Sequence, residues 1–171
     1  ANQAAVPLIL YNVPSRTGVD LLPETVQRLA AIANIVGIKE ASGNLERVKH
    51  LHKHCQEKLD VYSGDDASAL PMMLEAGAKG VISVTANVAP ALMAAMCAAA
   101  LKGDKATATA INTKLSPLYA GLFVETNPIP VKWALHKMGW IQNSLRLPLT
   151  PLAKPYHAEL EAAILTLKNE S

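Results

Sequence analysis

The chain has 171 residues, of which half are hydrophobic, 18% are charged and only 4% are aromatic. This length and composition predict one globular α/β protein with enough residues for a sizeable core. The formal net charge is only +2 and the cations are scattered along the sequence, so neither nucleic acid nor an anionic membrane is expected as a partner.

Four strands are predicted, and a helix follows each of them. Short apolar runs bounded by turn residues predict strands at 6–13, 35–39, 59–63 and 80–84. Helical spacing of apolar residues predicts the helices at 21–32, 45–55, 67–76 and 90–101. Asn44 is the expected N-cap of the second helix, and Gly77 is the expected end of the third. This alternation is typical of successive parallel βαβ units.

The strands stop after Gly103, where the chain becomes entirely helical. Three further helices are predicted at 104–122, 129–138 and 153–168. We therefore divide the chain into an α/β part, residues 1–102, and a helical part, residues 103–171.

Four parallel strands fit either an open doubly wound sheet or half of an eight-stranded barrel. A dinucleotide-binding sheet needs a glycine-rich turn after its first strand, and residues 12–16 do not form one. The distinctive polar residues all lie at the carboxyl ends of strands: Tyr11, Lys39 and the segment 64–66. Because barrel enzymes build their active sites there, the pattern favours half a barrel.

Lys39 is a single cation near the end of an apolar, buried strand. An ammonium group in such a place is costly unless it is paired or loses its proton, and a lysine that loses its proton readily attacks carbonyl carbons. Schiff-base chemistry is therefore the first interpretation. The alternative is a strand that has already ended at Lys39, which would leave the amine in solvent.

Five segments in order resemble the dihydrodipicolinate synthases. They are residues 11–18 (YNVPSRTG), 37–42 (GIKEAS), 63–66 (SGDD), 80–87 (GVISVTAN) and 123–132 (FVETNPIPVK). The resemblance covers essentially the whole chain. It implies a (β/α)8 TIM barrel, of which residues 1–102 hold the last four β/α units and residues 103–171 form the family's C-terminal helical domain.

The resemblance also implies a role for each site residue. In this family Lys39 would form the Schiff base with pyruvate, and Tyr11 would relay protons during imine formation and condensation. Arg16 would hold the carboxylate of L-aspartate 4-semialdehyde, a task that suits the planar guanidinium. Gly64 and Ile82 would line the lysine pocket. The imine is formed with the substrate itself, so no cofactor and no metal are expected.

Three functions remain open at this point. The first is the synthase reaction, in lysine and diaminopimelate biosynthesis. The second is a sister pyruvate-dependent aldolase or lyase acting on N-acetylneuraminate or keto-sugar acids, which Arg16 disfavours because those relatives generally lack an arginine there. The third is a non-catalytic half-barrel. A pyridoxal-phosphate lysine is a weaker idea, since the chain shows no glycine-rich phosphate cup.

The resemblance implies further protein partners. The N-terminal half of the same enzyme would supply the remaining barrel strands, and unpaired strand edges would make this chain depend on it. A homo-oligomer, a dimer of dimers, is expected. Residues 1–5 show no signal peptide, and Cys55 and Cys97 have no second cysteine at ligand or redox spacing, so we expect a cytoplasmic protein without disulfides.

Two polar clusters have simpler explanations than catalysis. Asp65 and Asp66 open a predicted helix, where carboxylates cap free N–H groups. His50, His52 and His54 alternate along one helix and therefore do not share a single face, so solvated histidines are expected rather than a metal site.

Overall fold

The computed structural model describes residues 5–55 and 58–168. Within these residues the chain forms two compact units. The first comprises residues up to Ser83 together with Cys97–Lys105, and the second comprises Val84–Met96 together with the residues from Ala106 onward. The division that the sequence suggested at residue 103 stays a prediction.

The first unit is built on a three-stranded parallel sheet in the order β1-β2-β3. The strands are β1 (Leu8–Asn12), β2 (Ile35–Glu40) and β3 (Asp60–Ser63). The helices between and after them are α1 (Pro14–Thr17), α2 (Pro23–Leu29), α3 (Leu45–Cys55) and α4 (Asp66–Ala76). The predicted order of these three strands with α2, α3 and α4 is confirmed, whereas the short helix α1 was not predicted.

One face of the sheet is buried against α3 and α4. Ile38 and Val61 lie directly opposite each other on β2 and β3, and both are buried together with Val48 and Leu51 of α3. Burying each such side chain contributes about 1.5–3 kcal/mol. The other face carries Tyr11, which keeps 50% of its accessible surface.

Local capping explains where α3 begins and where α4 begins and ends. The Asn44 side chain accepts a hydrogen bond from the N–H of Arg47 at 3.0 Å, which confirms the predicted N-cap of α3. Asp65 accepts from the N–H of Ser68 at 3.0 Å and caps α4. Gly77 ends α4 with a φ of 77°, a left-handed conformation that favours glycine.

The predicted fourth strand at 80–84 is wrong as a strand. Only Val81 pairs with Ser63, in an isolated parallel bridge. Ser63 donates its N–H to the carbonyl of Gly80 and accepts from the N–H of Ile82, both at 2.9 Å. The pairing goes no further because β3 ends at Ser63 and the other segment turns into a short 3-10 helix, Thr85–Asn87.

The remaining helices confirm the predicted helical tail. They are α5 (Pro90–Leu101), α6 (Lys105–Gly121), α7 (Ile129–Lys137) and α8 (His157–Lys168). In the second unit, Trp133 of α7 stacks on His157 of α8 with ring centroids 4.7 Å apart. Lys137 and Glu161 add an ion pair at 3.2 Å between the same two helices. In the part of the chain that the structure describes, no helix is both long and apolar enough to cross a bilayer.

Candidate functional site

Tyr11 and Lys39 lie side by side on neighbouring strands. They are register partners in the parallel pairing of β1 with β2, so their side chains lie on the same face of the sheet. The Nζ atom of Lys39 lies 4.3 Å from the centroid of the Tyr11 ring, within the range of a cation–π contact. The structure therefore brings together the two residues for which chemistry was predicted.

Tyr62 extends this row to the third strand. It is the register partner of Lys39 on β3, and its hydroxyl donates to a carboxylate oxygen of Asp60 at 3.4 Å. Burial raises the pKa of Tyr62, and the negative charge of Asp60 raises it further. Tyr62 was not singled out from the sequence. Each of the three residues precedes the last residue of its strand, and that shared position is the signal that could have found it.

A second row of polar residues lies on the opposite face, one residue further along each strand. Asn12, Glu40 and Ser63 are register partners, and their exposed fractions are 2%, 0% and 0%. The Asn12 carboxamide donates to both carboxylate oxygens of Glu40, at 3.0 and 3.2 Å. Glu40 also accepts from the backbone N–H of Ser42 at 2.7 Å. An unpartnered carboxylate here would cost several kcal/mol, so these donors make its burial possible.

Asp20 and Arg47 complete this polar network. Arg47 donates to both oxygens of Asp20, at 2.7 and 2.6 Å, and lies 3.8 Å from a carboxylate oxygen of Glu40. Asn12 donates a further bond to Asp20 at 3.0 Å. The bonds from Arg47 and then Asn12 hold the pKa of Asp20 below its usual range, and Asp20 raises the pKa of Arg47. The sequence interpretation missed this network.

Gly64 and Ile82 lie beside the ends of β2 and β3. The N–H of Gly64 donates to the carbonyl of Glu40 at 2.8 Å. A Cβ at Gly64 would lie 2.5 Å from the Cβ of Ala41, so any side chain would clash with the segment directly after Lys39. The backbone N–H of Ile82 donates to the carbonyl of Ser63 at 2.9 Å, and 41% of the Ile82 surface is exposed. Their predicted role as lining of the lysine pocket stays a prediction.

Arg16 lies in the short helix α1, directly after β1. Its backbone N–H donates to the carbonyl of Val13 at 2.9 Å, and its side chain is exposed. Helix α1 ends at Gly18, which has a φ of 69°. The N–H of Gly18 donates to the carbonyl of Pro14 at 2.9 Å. The Thr17 hydroxyl donates to the carbonyl of Val19 at 2.9 Å. The segment 13–19 is thus an ordered turn directly after β1, and the role predicted for the Arg16 side chain stays a prediction.

The structure describes the two polar clusters for which the sequence suggested explanations other than catalysis. Asp65 is the N-cap of α4, as predicted, and Asp66 is buried in the first turn of that helix. His50 and His54 do share one face of α3, with ring centroids 4.5 Å apart. The His52 ring instead lies beside Gly77, where an added Cβ would be 2.6 Å from the ring. Among residues 5–55 and 58–168, no three His, Cys, Asp or Glu side chains are grouped to hold a metal ion.

The fold and the site together are typical of a parallel α/β enzyme that works at the carboxyl ends of its strands. A family model described as the dihydrodipicolinate synthetase family matches residues 1–167. The chain belongs to this family.

Named relatives and a solved structure agree with this assignment. A 4-hydroxy-tetrahydrodipicolinate synthase from Alcanivorax borkumensis is 59% identical over 154 residues, which are 90% of this chain and 52% of that protein. The protein of the same name from Pseudomonas aeruginosa is 56% identical over 164 residues, 96% of this chain and 56% of that one. A similar solved structure is the crystal structure of the chloride-inhibited dihydrodipicolinate synthase from Acinetobacter baumannii, complexed with pyruvate. It matches with a TM-score of 0.94 at 52% sequence identity. The match covers 98% of this chain and 57% of that chain. The chain thus spans about half the length of the curated relatives it matches.

Proposed function

We propose that this chain is the carboxyl-terminal part of a 4-hydroxy-tetrahydrodipicolinate synthase, holding the last four β/α units of a (β/α)8 barrel and the helical domain that follows. The enzyme condenses pyruvate with L-aspartate 4-semialdehyde in lysine and diaminopimelate biosynthesis. The observation that carries this proposal is the Lys39 amine 4.3 Å from the Tyr11 ring, at the carboxyl ends of adjacent parallel strands.

The first chemical step uses Lys39 as the nucleophile. Its neutral amine attacks the keto carbon of pyruvate, and loss of water from the resulting carbinolamine gives a protonated imine. Tyr11 is the proton donor for the departing hydroxyl group, because its ring centroid lies 4.3 Å from the Lys39 amine. The electrophile is the substrate itself, so the proposed reaction needs no cofactor or metal.

The second step joins the two substrates. Tyr11, left as the phenolate by the first step, takes a proton from the methyl carbon of the imine and so gives an enamine. The enamine attacks the aldehyde carbon of the semialdehyde, and Tyr11 passes its proton to the new alkoxide. The amino group of the semialdehyde then attacks the imine carbon, which closes the ring and releases Lys39. Arg16 holds the carboxylate of the semialdehyde at the entrance, and Gly64 and Ile82 border the pocket.

The exposed face of the sheet supports the proposed partner. Ile9, Tyr11 and Ile82 keep 49%, 50% and 41% of their surface, although two of them are purely apolar. An uncovered apolar sheet face is typical of an interface. The N-terminal half of the same enzyme is the proposed occupant, since the relatives are about twice as long. A cytoplasmic homo-oligomer, a dimer of dimers, stays part of this proposal.

The proposal is tested by assaying the complete enzyme with two sets of substrates. Pyruvate with aspartate semialdehyde should give the cyclic condensation product, identified by its mass, and N-acetylneuraminate should not be cleaved. Cleavage of N-acetylneuraminate without condensation would assign the sister lyase activity instead. The activity of this chain is then measured alone and in a mixture with the N-terminal half. Activity in the mixture only would show that this chain needs the N-terminal half for catalysis. A mixture that folds and shows neither activity would contradict the proposal.

A further inference from the structure

The strand ends carry two register pairs on opposite faces of the sheet. Tyr11 pairs with Lys39, and the next pair along the same strands is Asn12 with Glu40. Because side chains alternate between the faces of a strand, Asn12 and Glu40 lie on the helix-covered face. They are adjacent in sequence to the proposed reactive pair, yet a substrate on the Tyr11 face cannot touch them.

Hydrogen bonds tie Asn12 and Glu40 to each other and to the segments that follow the strands. The Asn12 carboxamide donates to both oxygens of Glu40, at 3.0 and 3.2 Å, and its own oxygen accepts from the N–H of Leu21 at 2.9 Å. Glu40 accepts in addition from the N–H of Ser42 at 2.7 Å. The end of each strand is therefore fixed both to its neighbour and to its own following loop.

Asp20 and Arg47 hold this pair from its more exposed side. Arg47, in the first turn of α3, donates to both oxygens of Asp20 at 2.7 and 2.6 Å and to the carbonyl of Leu21 at 3.3 Å. Asp20 accepts from Asn12 at 3.0 Å, and Arg47 lies 3.8 Å from Glu40. The four side chains thus form a closed ring.

Stability alone does not require such a ring. Apolar side chains of similar volume often replace a buried ion pair without loss of stability. Apolar contacts on the helix-covered face set the register only through the alternation of side chains, however, whereas hydrogen bonds also fix direction and distance at the strand ends. A slip of β1 by one residue would break the bonds between Asn12 and Glu40, move Tyr11 by about 3.3 Å along the sheet and turn it to the other face. Since Lys39 lies 4.3 Å from the Tyr11 ring, a slip of that size would separate the two groups.

We propose that Asn12 and Glu40, braced by Asp20 and Arg47, are positioning residues that fix the register of the strand ends and thereby the spacing of Tyr11 and Lys39. The inference rests on the proposed function of these two residues. A loss of positioning slows imine formation and lowers kcat, while the binding of pyruvate on the other face is little changed.

The test measures the rate at which borohydride traps pyruvate on Lys39 in the complete enzyme, together with kcat and KM. Glu40→Gln removes the charge and keeps the shape, whereas Asn12→Asp places two carboxylates face to face. The double variant exchanges the amide and the carboxylate and so restores a complementary pair. Asp20→Asn perturbs the ring from its more exposed side. Val48→Ala is the matched control, because this fully buried residue of α3 lies outside the ring.

The expected result for Asn12→Asp and Glu40→Gln is a fall of about 10- to 100-fold in trapping rate and kcat, since a displacement of about 1 Å costs up to that factor. The KM for pyruvate should stay within about threefold of wild type. The double variant should regain part of the lost rate, and Asp20→Asn should show a smaller fall. Val48→Ala should lower the melting temperature without slowing the trapping.

Three outcomes would overturn the inference. If Glu40→Gln and Asp20→Asn trap pyruvate at the wild-type rate, the ring does not position Lys39, and the proposed function stands. If Val48→Ala slows the reaction as much as Glu40→Gln does at equal loss of stability, the role is structural only. If the wild-type enzyme gives no adduct on Lys39, the proposed function fails and this inference fails with it. Should Asn12→Asp not fold, Glu40→Gln and Asp20→Asn still decide between these outcomes.

Discussion

The amine of Lys39 lies 4.3 Å from the centre of the Tyr11 ring, and the two residues are register partners on adjacent parallel strands. Backbone pairing therefore sets their spacing, so the contact does not depend on a flexible loop. A proton donor held at such a position can act on each tetrahedral species that forms at the lysine.

Replacement of Tyr11 by phenylalanine removes the hydroxyl and keeps the ring next to Lys39. We expect kcat to fall by about 10²- to 10⁴-fold, the usual contribution of a positioned acid–base group. The KM for pyruvate should change little. Tyr119→Phe is the control, because the Tyr119 hydroxyl donates to Asn112 at 3.1 Å in the second unit. Equal losses in both variants would argue against a proton relay at Tyr11.

Arg16 should discriminate between the two substrates. In Arg16→Ala the KM for aspartate semialdehyde should rise by about 10- to 100-fold, because a charge-assisted, bidentate contact to its carboxylate is lost. The KM for pyruvate should stay unchanged. Arg16→Lys keeps the charge and loses the planar fork, so an intermediate value is expected. Steady-state kinetics with each substrate varied in turn measures both constants, and equal effects on the two would refute this role.

Gly64 is required by its close approach to Ala41. In Gly64→Ala the new Cβ would lie 2.5 Å from the Cβ of Ala41, so the backbone must move. Such overpacking costs about 1–3 kcal/mol of unfolding free energy. Ala41→Gly removes the contact at 2.5 Å and leaves those to the Ala41 backbone at 3.0 and 3.1 Å, so the double variant should be somewhat more stable than the sum of the two single effects predicts. Urea denaturation of the four proteins measures this coupling, and strict additivity would show that the Ala41 side chain is not the source of the cost.

The contact between Asp20 and Arg47 should make stability depend on acid pH. Hydrogen bonds from Arg47 and Asn12 lower the pKa of Asp20 below its ordinary value of 3.8. A carboxyl group of this kind stabilises the folded state above its unfolded pKa, and the contribution is lost as the pH falls through the lower, folded pKa. Between about pH 5 and about pH 2, Asp20→Asn should therefore lose less unfolding free energy than wild type.

Urea denaturation at several pH values measures that difference. Arg47→Lys keeps the charge but loses the two parallel hydrogen bonds to Asp20, so its pH dependence should lie between those of wild type and Asp20→Asn. Identical pH dependence in wild type and Asp20→Asn would contradict the assigned cause of the pKa shift.

The proximity of Tyr11 and Lys39 could be predicted from the sequence because each residue carries its own signal. Lys39 is a cation at the end of an apolar strand, and Tyr11 follows an apolar strand in a recognisable segment. Parallel strands end at a common edge, so two such residues are expected to meet. Their resemblance to a known family then assigned roles that spacing alone could not.

The buried ring could not be predicted in the same way. Glu40 lies two positions after Ile38 and shares its buried face, but which polar side chains meet it there depends on the pairing of distant segments. The partners are also distant: Asn12 and Glu40 are 28 positions apart, and Asp20 and Arg47 are 27 apart.

Trapping with pyruvate and borohydride, followed by peptide mass spectrometry, shows directly whether Lys39 is the nucleophile. In the complete enzyme we predict a reduced pyruvyl adduct on Lys39, and none in Lys39→Arg. Lys49, which is paired with Glu46 at 2.7 Å on the surface of α3, is an internal control that should stay unlabelled. A folded enzyme that leaves Lys39 unmodified, or that carries the adduct on another lysine, would contradict the account.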